Sequence, residues 1–254
     1  IATTMTITTN KAELLMRHSR YLLSTLLLIV SAACAAPAPT DGFYTIDPSR
    51  SNGGTGRFYM DREISDVMGH LAADWLERPS RTHEEMPDEG VANMGLKPTD
   101  VVADIGAGSG YFTIRIAKLV PQGRVLAVDI QPEMLEILEG RRREEGLDNI
   151  NGVLGEIDDT HLPDNSVDVA FLVDAYHEFS HPREILQSIY DSLKPGGRLI
   201  LVEYRAEDPN VPIRTLHKMT QRQVRREMSV LNFEWEKTLD FLPWQHMMFF
   251  TKPE

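Results

Sequence analysis

Val101-Val102-Ala103-Asp104-Ile105 is an apolar run that empties into Gly106-Ala107-Gly108-Ser109-Gly110, and Tyr111-Phe112-Thr113 then opens a new apolar segment. This stretch constrains the fold more than any other in the chain. It reads as a buried strand, a turn with glycine at alternate positions, and the first turn of a helix. About twenty residues later a second apolar run, Val125 to Val128, ends on Asp129. Glycine has no Cβ, so the backbone of such a turn can lie directly against a ligand. An acid at the tip of the next strand can accept hydrogen bonds from both hydroxyls of a ribose. Together they describe a nucleoside-containing ligand lying across the carboxyl ends of parallel strands.

The glycine spacing narrows the choice of ligand. A dinucleotide turn counted from Gly106 and Gly108 requires glycine at 111, where the chain has Tyr111. A phosphate-binding loop requires Gly-Lys followed by Ser or Thr, and no such sequence follows Gly110. The pattern Asp104-x-Gly106-x-Gly108-x-Gly110 resembles the first motif of the class I S-adenosylmethionine-dependent methyltransferases. The resemblance covers roughly residues 90–254. Leu162-Pro163-x-x-Ser166-Val167-Asp168-Val169 and Leu193-Lys194-Pro195-Gly196-Gly197-Arg198-Leu199 are similar to the later motifs of the small-molecule members. It implies S-adenosylmethionine as cofactor, with Asp104, Gly106, Ala107, Gly108, Gly110, Asp129 and Ile130 around it. It also implies that the loop Gly155-Glu156-Ile157-Asp158 holds the adenine, with Ile157 on the ring and a carboxylate on the exocyclic amine. Glu156, Asp158 and Asp159 are all candidates for that carboxylate.

The order of elements agrees. Strand 101–105 leads to helix 109–119, and strand 125–129 to a helix that opens at Pro132 and closes at Gly146. Strand 151–155, strand 167–174, a helix from Pro182 to Leu193 and strand 198–204 follow. Thr220 and Gln223 form a capping box for a helix to about Leu231. Runs 234–242 and 245–251 have no helix between them and should pair as a hairpin. The expected fold is α/β: a Rossmann-like, seven-stranded, mostly parallel sheet with a C-terminal antiparallel hairpin and helices on both faces. Upstream, Ile64, Val67, Met68, Leu71, Ala72, Trp75 and Leu76 recur at helical spacing, which predicts an amphipathic helix over 60–77. The run Glu77–Asp88 reads as a loop. The single domain therefore spans 57–254, with a helical cap over 57–95. Residues 41–56, rich in Gly and Ser, read as a flexible linker.

Residues 1–40 stand apart. Arg17 and Arg20 precede an apolar run from Tyr21 to Ala33, then small residues and Pro37 and Pro39, with Met16 a natural start. This is the pattern of a secretory signal, and the run is too short for a comfortable membrane span. Ala33-Cys34-Ala35 fits a cleavage site, and Ser31-Ala32-Ala33-Cys34 resembles a lipobox that would attach the protein to a membrane through a lipidated Cys34. The expected location is periplasmic or lipid-anchored, or cytoplasmic if the segment is not processed. With 38 acidic against 26 basic residues and a net charge of −12, no long nucleic-acid track is expected. A single cysteine excludes an internal disulfide and a cysteine-based metal site.

His177-Glu178-Phe179-Ser180-His181 spells the H-E-x-x-H of zinc hydrolases. That chemistry needs both histidines on one face of a continuous helix, yet Pro182 follows the second at once. No metal is expected here. The segment follows a buried strand at the edge where such sheets place reacting groups. It also resembles the His-Asp-Trp segment of plant-type O-methyltransferases, which implies His177 as general base, oriented by Asp174 or Glu178. Tyr176, His217 and Trp244 are candidates for contact with a small-molecule substrate. The expected reaction is methyl transfer to oxygen. C-methylation of a quinone-like ring and cofactor binding without catalysis stand as alternatives, with zinc hydrolysis a minor one.

Overall fold

The computed structural model describes residues 42–254. The signal-like segment and Cys34 lie outside the described residues. Five parallel strands carry the sheet: β4 (Val101–Ile105), β5 (Arg124–Asp129), β6 (Ile150–Leu154), β7 (Val167–Val173) and β8 (Leu193–Arg205), after three short strands introduced below. β10 (Glu234–Leu239) and β11 (Gln245–Thr251) form the expected antiparallel hairpin. The order is β10-β11-β8-β7-β4-β5-β6, and a two-residue strand β9 (Lys218–Met219) pairs with β8. The expected architecture holds, with this eighth short strand added. The chain runs outward from β4 to β6, returns to β7 on the other side of β4, and so creates a switch point between β4 and β7, where α/β sheets open a crevice.

Strand residues alternate between two apolar layers because successive side chains point to opposite faces. Val169 and Phe171 of β7 join Phe112, Ile116 and Phe249 on one face. Ala170 and Leu172 join Ile185, Ile189, Leu201 and Met248 on the other. Pro132 and Pro182 open their helices at the first turn, as expected, and Thr220 Oγ1 accepts the Gln223 N–H at 3.1 Å. The capping box is half formed, because the Gln223 side chain donates instead to the Met60 carbonyl and to Glu227.

The N-terminal region departs from expectation. The expected linker, over its described residues 42–56, carries strands, and 60–77 is not a continuous helix. β1 (Tyr44–Ile46), β2 (Gly54–Tyr59) and β3 (Arg62–Ser65) form an antiparallel sheet of their own. Met60 and Asp61 make the β2–β3 turn with φ of 49° and 69°, the paired left-handed conformation of a two-residue hairpin, without the Asn-Gly that normally announces it. The glycines serve this sheet. The Glu63 carboxylate accepts the N–H groups of Ser51 and Gly56, and a Cβ on Gly54 would fall 2.2 Å from Glu63 Oε1. Of the expected helix only a 3-10 turn (His70–Ala72) and one turn of α1 (Ala73–Leu76) form. Of the apolar residues in this pattern, Ile64 packs with Tyr44 and Tyr59, Val67, Met68, Ala72, Trp75 and Leu76 line a cavity, and Leu71 is 92% exposed. The expected loop 77–88 folds into α2 (Arg81–Glu85) and the start of α3 (Pro87–Ala92), joined at Met86. The remaining helices are α4 (Tyr111–Leu119), α5 (Pro132–Glu144), α6 (Pro182–Ser192) and α7 (Gln221–Met228).

Candidate functional site

A cavity of about 710 Å³ opens over the carboxyl ends of β4, β5, β6 and β7, beneath Met68, Trp75 and Leu76. Its floor on one side is the glycine turn. Gly106, Gly108 and Gly110 have φ of 75°, 54° and 82°, where a side chain is strained. The Gly106 and Ala107 N–H groups donate to the Val128 carbonyl and lock the turn to β5. A Cβ on Gly106 would come within 2.7 Å of the Ala175 Cβ, and one on Gly110 within 2.2 Å of Leu138 Cδ1. Gly110 is thus needed for the packing of α5, and Gly106 for the approach of the chain after β7.

Asp129, at the tip of β5, accepts the Gly108 N–H at 2.8 Å on Oδ2 and the Gln131 N–H at 2.9 Å on Oδ1. Each oxygen keeps a second lone pair for a ligand hydroxyl. Burial raises its pKa, against the pull of those backbone donors. Ile130 and Ile157, 40% and 50% exposed, line the same end of the cavity with Glu156. Asp159 also lines it, but its Oδ1 is taken by the His161 N–H and the Ser188 hydroxyl. Four of the expected cofactor residues, Asp104, Ala107, Gly110 and Asp158, are not among the lining residues. Asp104 is buried under the turn and accepts the Thr113 hydroxyl at 2.5 Å, and burial pushes its carboxyl up to about 6.

The other end of the cavity is polar. Asp174, just past β7, has φ 49° and accepts Gln245 Nε2 at 2.6 Å on Oδ2. Its Oδ1 is buried with no hydrogen-bond partner among the described residues. Burial, with Glu85 and Glu203 nearby, holds its pKa well above the usual carboxylate range. Asp174 therefore does not orient His177; Glu203 does. His177 lies on a 3-10 turn (Tyr176–Glu178), and its Nδ1 is hydrogen-bonded to Glu203 Oε2 at 2.6 Å. The His177 carbonyl accepts Arg62 Nη1 from β3, and His177 Nε2 faces His217 Nδ1 at 3.0 Å. Burial pushes His177 down to about 3 and Glu203 up to about 8, so both shifts disfavour an imidazolium–carboxylate ion pair. Glu178 Oε1 stands 3.5 Å from His217 Nδ1, and Glu178 Oε2 accepts the Met68 N–H.

Two expected substrate residues are placed elsewhere. Tyr176 is fully buried and donates its hydroxyl to Glu227 at 2.7 Å, and Trp244 sits in the β10–β11 connection, away from the lining. His217 does line the cavity. The zinc-hydrolase geometry is not formed, because His181 precedes α6 and bonds the Ser180 hydroxyl. Sequence reasoning missed Glu203 and Arg62. Glu203 carried a signal: it is a lone acid in the apolar strand Leu199-Ile200-Leu201-Val202-Glu203-Tyr204.

A family profile for a methyltransferase domain matches residues 96–243, more than half of the chain. The chain belongs to the class I S-adenosylmethionine-dependent methyltransferase family. An uncharacterized methyltransferase-like protein of Schizosaccharomyces pombe is 33% identical over 141 residues, 55% of this chain and 52% of that protein. The ubiquinone/menaquinone biosynthesis C-methyltransferase UbiE of Ectopseudomonas mendocina is 33% identical over 112 residues, 43% of this chain and 44% of the enzyme. The chain thus spans about half the length of the curated relatives it matches. The crystal structure of an S-adenosylmethionine-dependent methyltransferase from Aquifex aeolicus superposes with a TM-score of 0.69 at 23% identity, covering 73% of this methyltransferase and 99% of that chain, which speaks for the fold. The family's cofactor is S-adenosylmethionine, and the bare glycine backbone, the Asp129 carboxylate and the apolar Ile130 and Ile157 fit its nucleoside.

Proposed function

We propose that this protein transfers a methyl group from S-adenosylmethionine to an oxygen of a small molecule bound in the same cavity. One observation carries the reading: a single cavity joins the nucleoside end, Asp129 with Ile130 and Ile157, to the polar end, His177 with Glu178 and His217. S-adenosylmethionine supplies an electrophilic methyl, which leaves sulfur as its bond to the acceptor forms. The residues do the rest. Asp129 holds the ribose hydroxyls, Ile157 packs on the adenine, and Glu156 takes its amine. The Asp174 Oδ1, buried with no hydrogen-bond partner among the described residues, receives the ammonium of the amino-acid tail. The roof residues Met68, Trp75 and Leu76 exclude water. The acceptor's hydroxyl proton is lost at the cluster around His177, where His177 Nε2 and His217 Nδ1 face one another at 3.0 Å.

A second reading, methylation at a ring carbon of a quinone-like acceptor, is favoured by the name of the UbiE relative. It needs the same loss of a hydroxyl proton, so it uses the same residues. Mass spectrometry of reactions with phenols, hydroquinones and thiols decides between them. An O-methyl product supports the first reading and a C-methyl product the second. Binding of S-adenosylhomocysteine with no methylated product across the panel would leave a cofactor-binding module and defeat both.

A further inference from the structure

We propose that His177, Glu178 and His217 bind one divalent metal ion of the zinc type, with its open coordination toward the cavity. The three ligand atoms are His177 Nε2, His217 Nδ1 and Glu178 Oε1, all within 4.8 Å of one another. Their separations are 3.0, 3.5 and 3.9 Å. Two ligands of a tetrahedral ion with bonds of 2.0–2.1 Å stand roughly 3.3–3.4 Å apart, so the three distances bracket what one ion requires. The two longer ones exceed a hydrogen bond. The carboxylate oxygen therefore does not simply bond either imidazole; it shares a focus with both.

The surroundings are those of a prepared site. Metal-ligating histidines hand their other ring nitrogen to a carboxylate, which fixes the ring and the tautomer. His177 does this with the fully buried Glu203 at 2.6 Å. The second oxygen of Glu178 is held by the Met68 N–H at 3.1 Å, and the His177 carbonyl by Arg62. Side-chain exposures of 2%, 16% and 24% for His177, Glu178 and His217 rise toward the cavity, so the fourth position faces substrate. Glu178 brings a carboxylate to the ion, and the Arg62 guanidinium is already neutralised by Glu227 at 2.8 Å. Two imidazoles and one carboxylate form a donor set that zinc accepts in three-ligand, open sites. The first two residues of the H-E-x-x-H string are thus used, with His217 of a later 3-10 turn (Thr215–His217) in place of His181.

This inference rests on the methyl-transfer reading only for the ion's role. An ion at this point polarises an acceptor hydroxyl, whose proton leaves to solvent. The oxygen then bonds the methyl carbon of S-adenosylmethionine as the carbon–sulfur bond breaks and its electron pair stays on sulfur. His177 is then a ligand and not the proton acceptor.

The intact protein, stripped with chelator and titrated with Zn²⁺ by calorimetry, is expected to bind one ion. Co²⁺ should give the visible absorption of a tetrahedral site. Glu178→Gln and His217→Ala should each weaken Zn²⁺ binding at least 100-fold, and Glu203→Gln, which touches no ion, roughly 10–100-fold. His181→Ala should leave it unchanged. S-adenosylhomocysteine affinity, measured on the same preparations, certifies that each variant is folded. Failure of the folded, stripped protein to bind Zn²⁺, or binding indifferent to Glu178→Gln and His217→Ala, overturns the site. Full methyl transfer by the stripped protein removes the ion's role while the methyl-transfer reading stands. Stoichiometric Zn²⁺ with no product from any acceptor leaves the site standing and defeats the methyl-transfer reading instead.

Discussion

The two ends of the cavity are built by different means. The nucleoside end comes from consecutive elements: the glycine turn after β4, Asp129 at the tip of β5 and the loop after β6. Its decisive bond, Gly108 to Asp129, spans 21 residues. The acceptor end is assembled from afar. His177 meets Glu203 across 26 residues, His217 across 40 and Arg62 across 115. A ligand common to a whole family can be held by a local motif. The polar end draws instead on loops and on the N-terminal hairpin, which the matched family region does not include.

The sharpest way to break this contrast is His177→Ala. A group positioned at the acceptor typically contributes 10²–10⁴-fold to rate, so turnover should fall by that order while S-adenosylhomocysteine affinity stays within about twofold. Equal losses in both would mean that the two ends are not separable. Next in size is Arg62→Ala, which leaves the buried Glu227 without its cation. Breaking such a pair costs about 3–5 kcal/mol, read as a lower urea midpoint. A loss below about 1 kcal/mol would show that the hairpin is not tied to the sheet through this residue.

Asp104 tests the nucleoside end. Burial pushes its carboxyl up to about 6 from the ordinary 3.8, so the folded state binds the proton more tightly. Stability from this group is full below about pH 4, falls as pH rises to about 6, and is constant above. The difference amounts to about 2–3 kcal/mol. Asp104→Asn keeps the acceptor for Thr113 and should remove this slope, so melting temperatures of wild type and variant should diverge between pH 4 and 6. Parallel curves would mean that Asp104 titrates normally. The smallest effect is expected of Asp129→Ala, which should weaken S-adenosylhomocysteine binding by about 1–3 kcal/mol in calorimetry, the scale of a lost hydrogen bond to a charged group. Unchanged affinity would remove Asp129 from the ribose site.

The same contrast explains what could be read from the sequence. The parallel strands, the C-terminal hairpin and Asp129 were legible because apolar runs, prolines at helix starts and glycines in turns act over a few residues. The β1–β3 sheet was hidden because its turn uses Met60-Asp61, residues that seldom adopt positive φ together, and because its glycines resemble those of a linker. The apolar spacing from Ile64 to Leu76 mimics a helix face because Ile64 packs under the small sheet while Val67, Met68, Ala72, Trp75 and Leu76 line the cavity. Glu203 stood out in its strand, but which histidine it serves depends on the pairing of β7 with β8. Tyr176 is next to the His177 segment in sequence yet points into the core toward Glu227, and Trp244 of the hairpin connection does not line the cavity.

The contact between Gly106 and Ala175 has a geometric consequence. In-line displacement is sensitive to the separation of donor and acceptor, and a misplacement of about 1 Å can cost 10²-fold. The turn that carries the donor and the turn that carries His177 meet so closely that a single added Cβ would close the gap to 2.7 Å. The space between Gly106 and the Ala175 methyl is therefore smaller than a methyl group, and the two turns pack directly on one another. Any larger residue at position 106 would have to part these turns, and with them the glycine floor and the His177 end of the cavity.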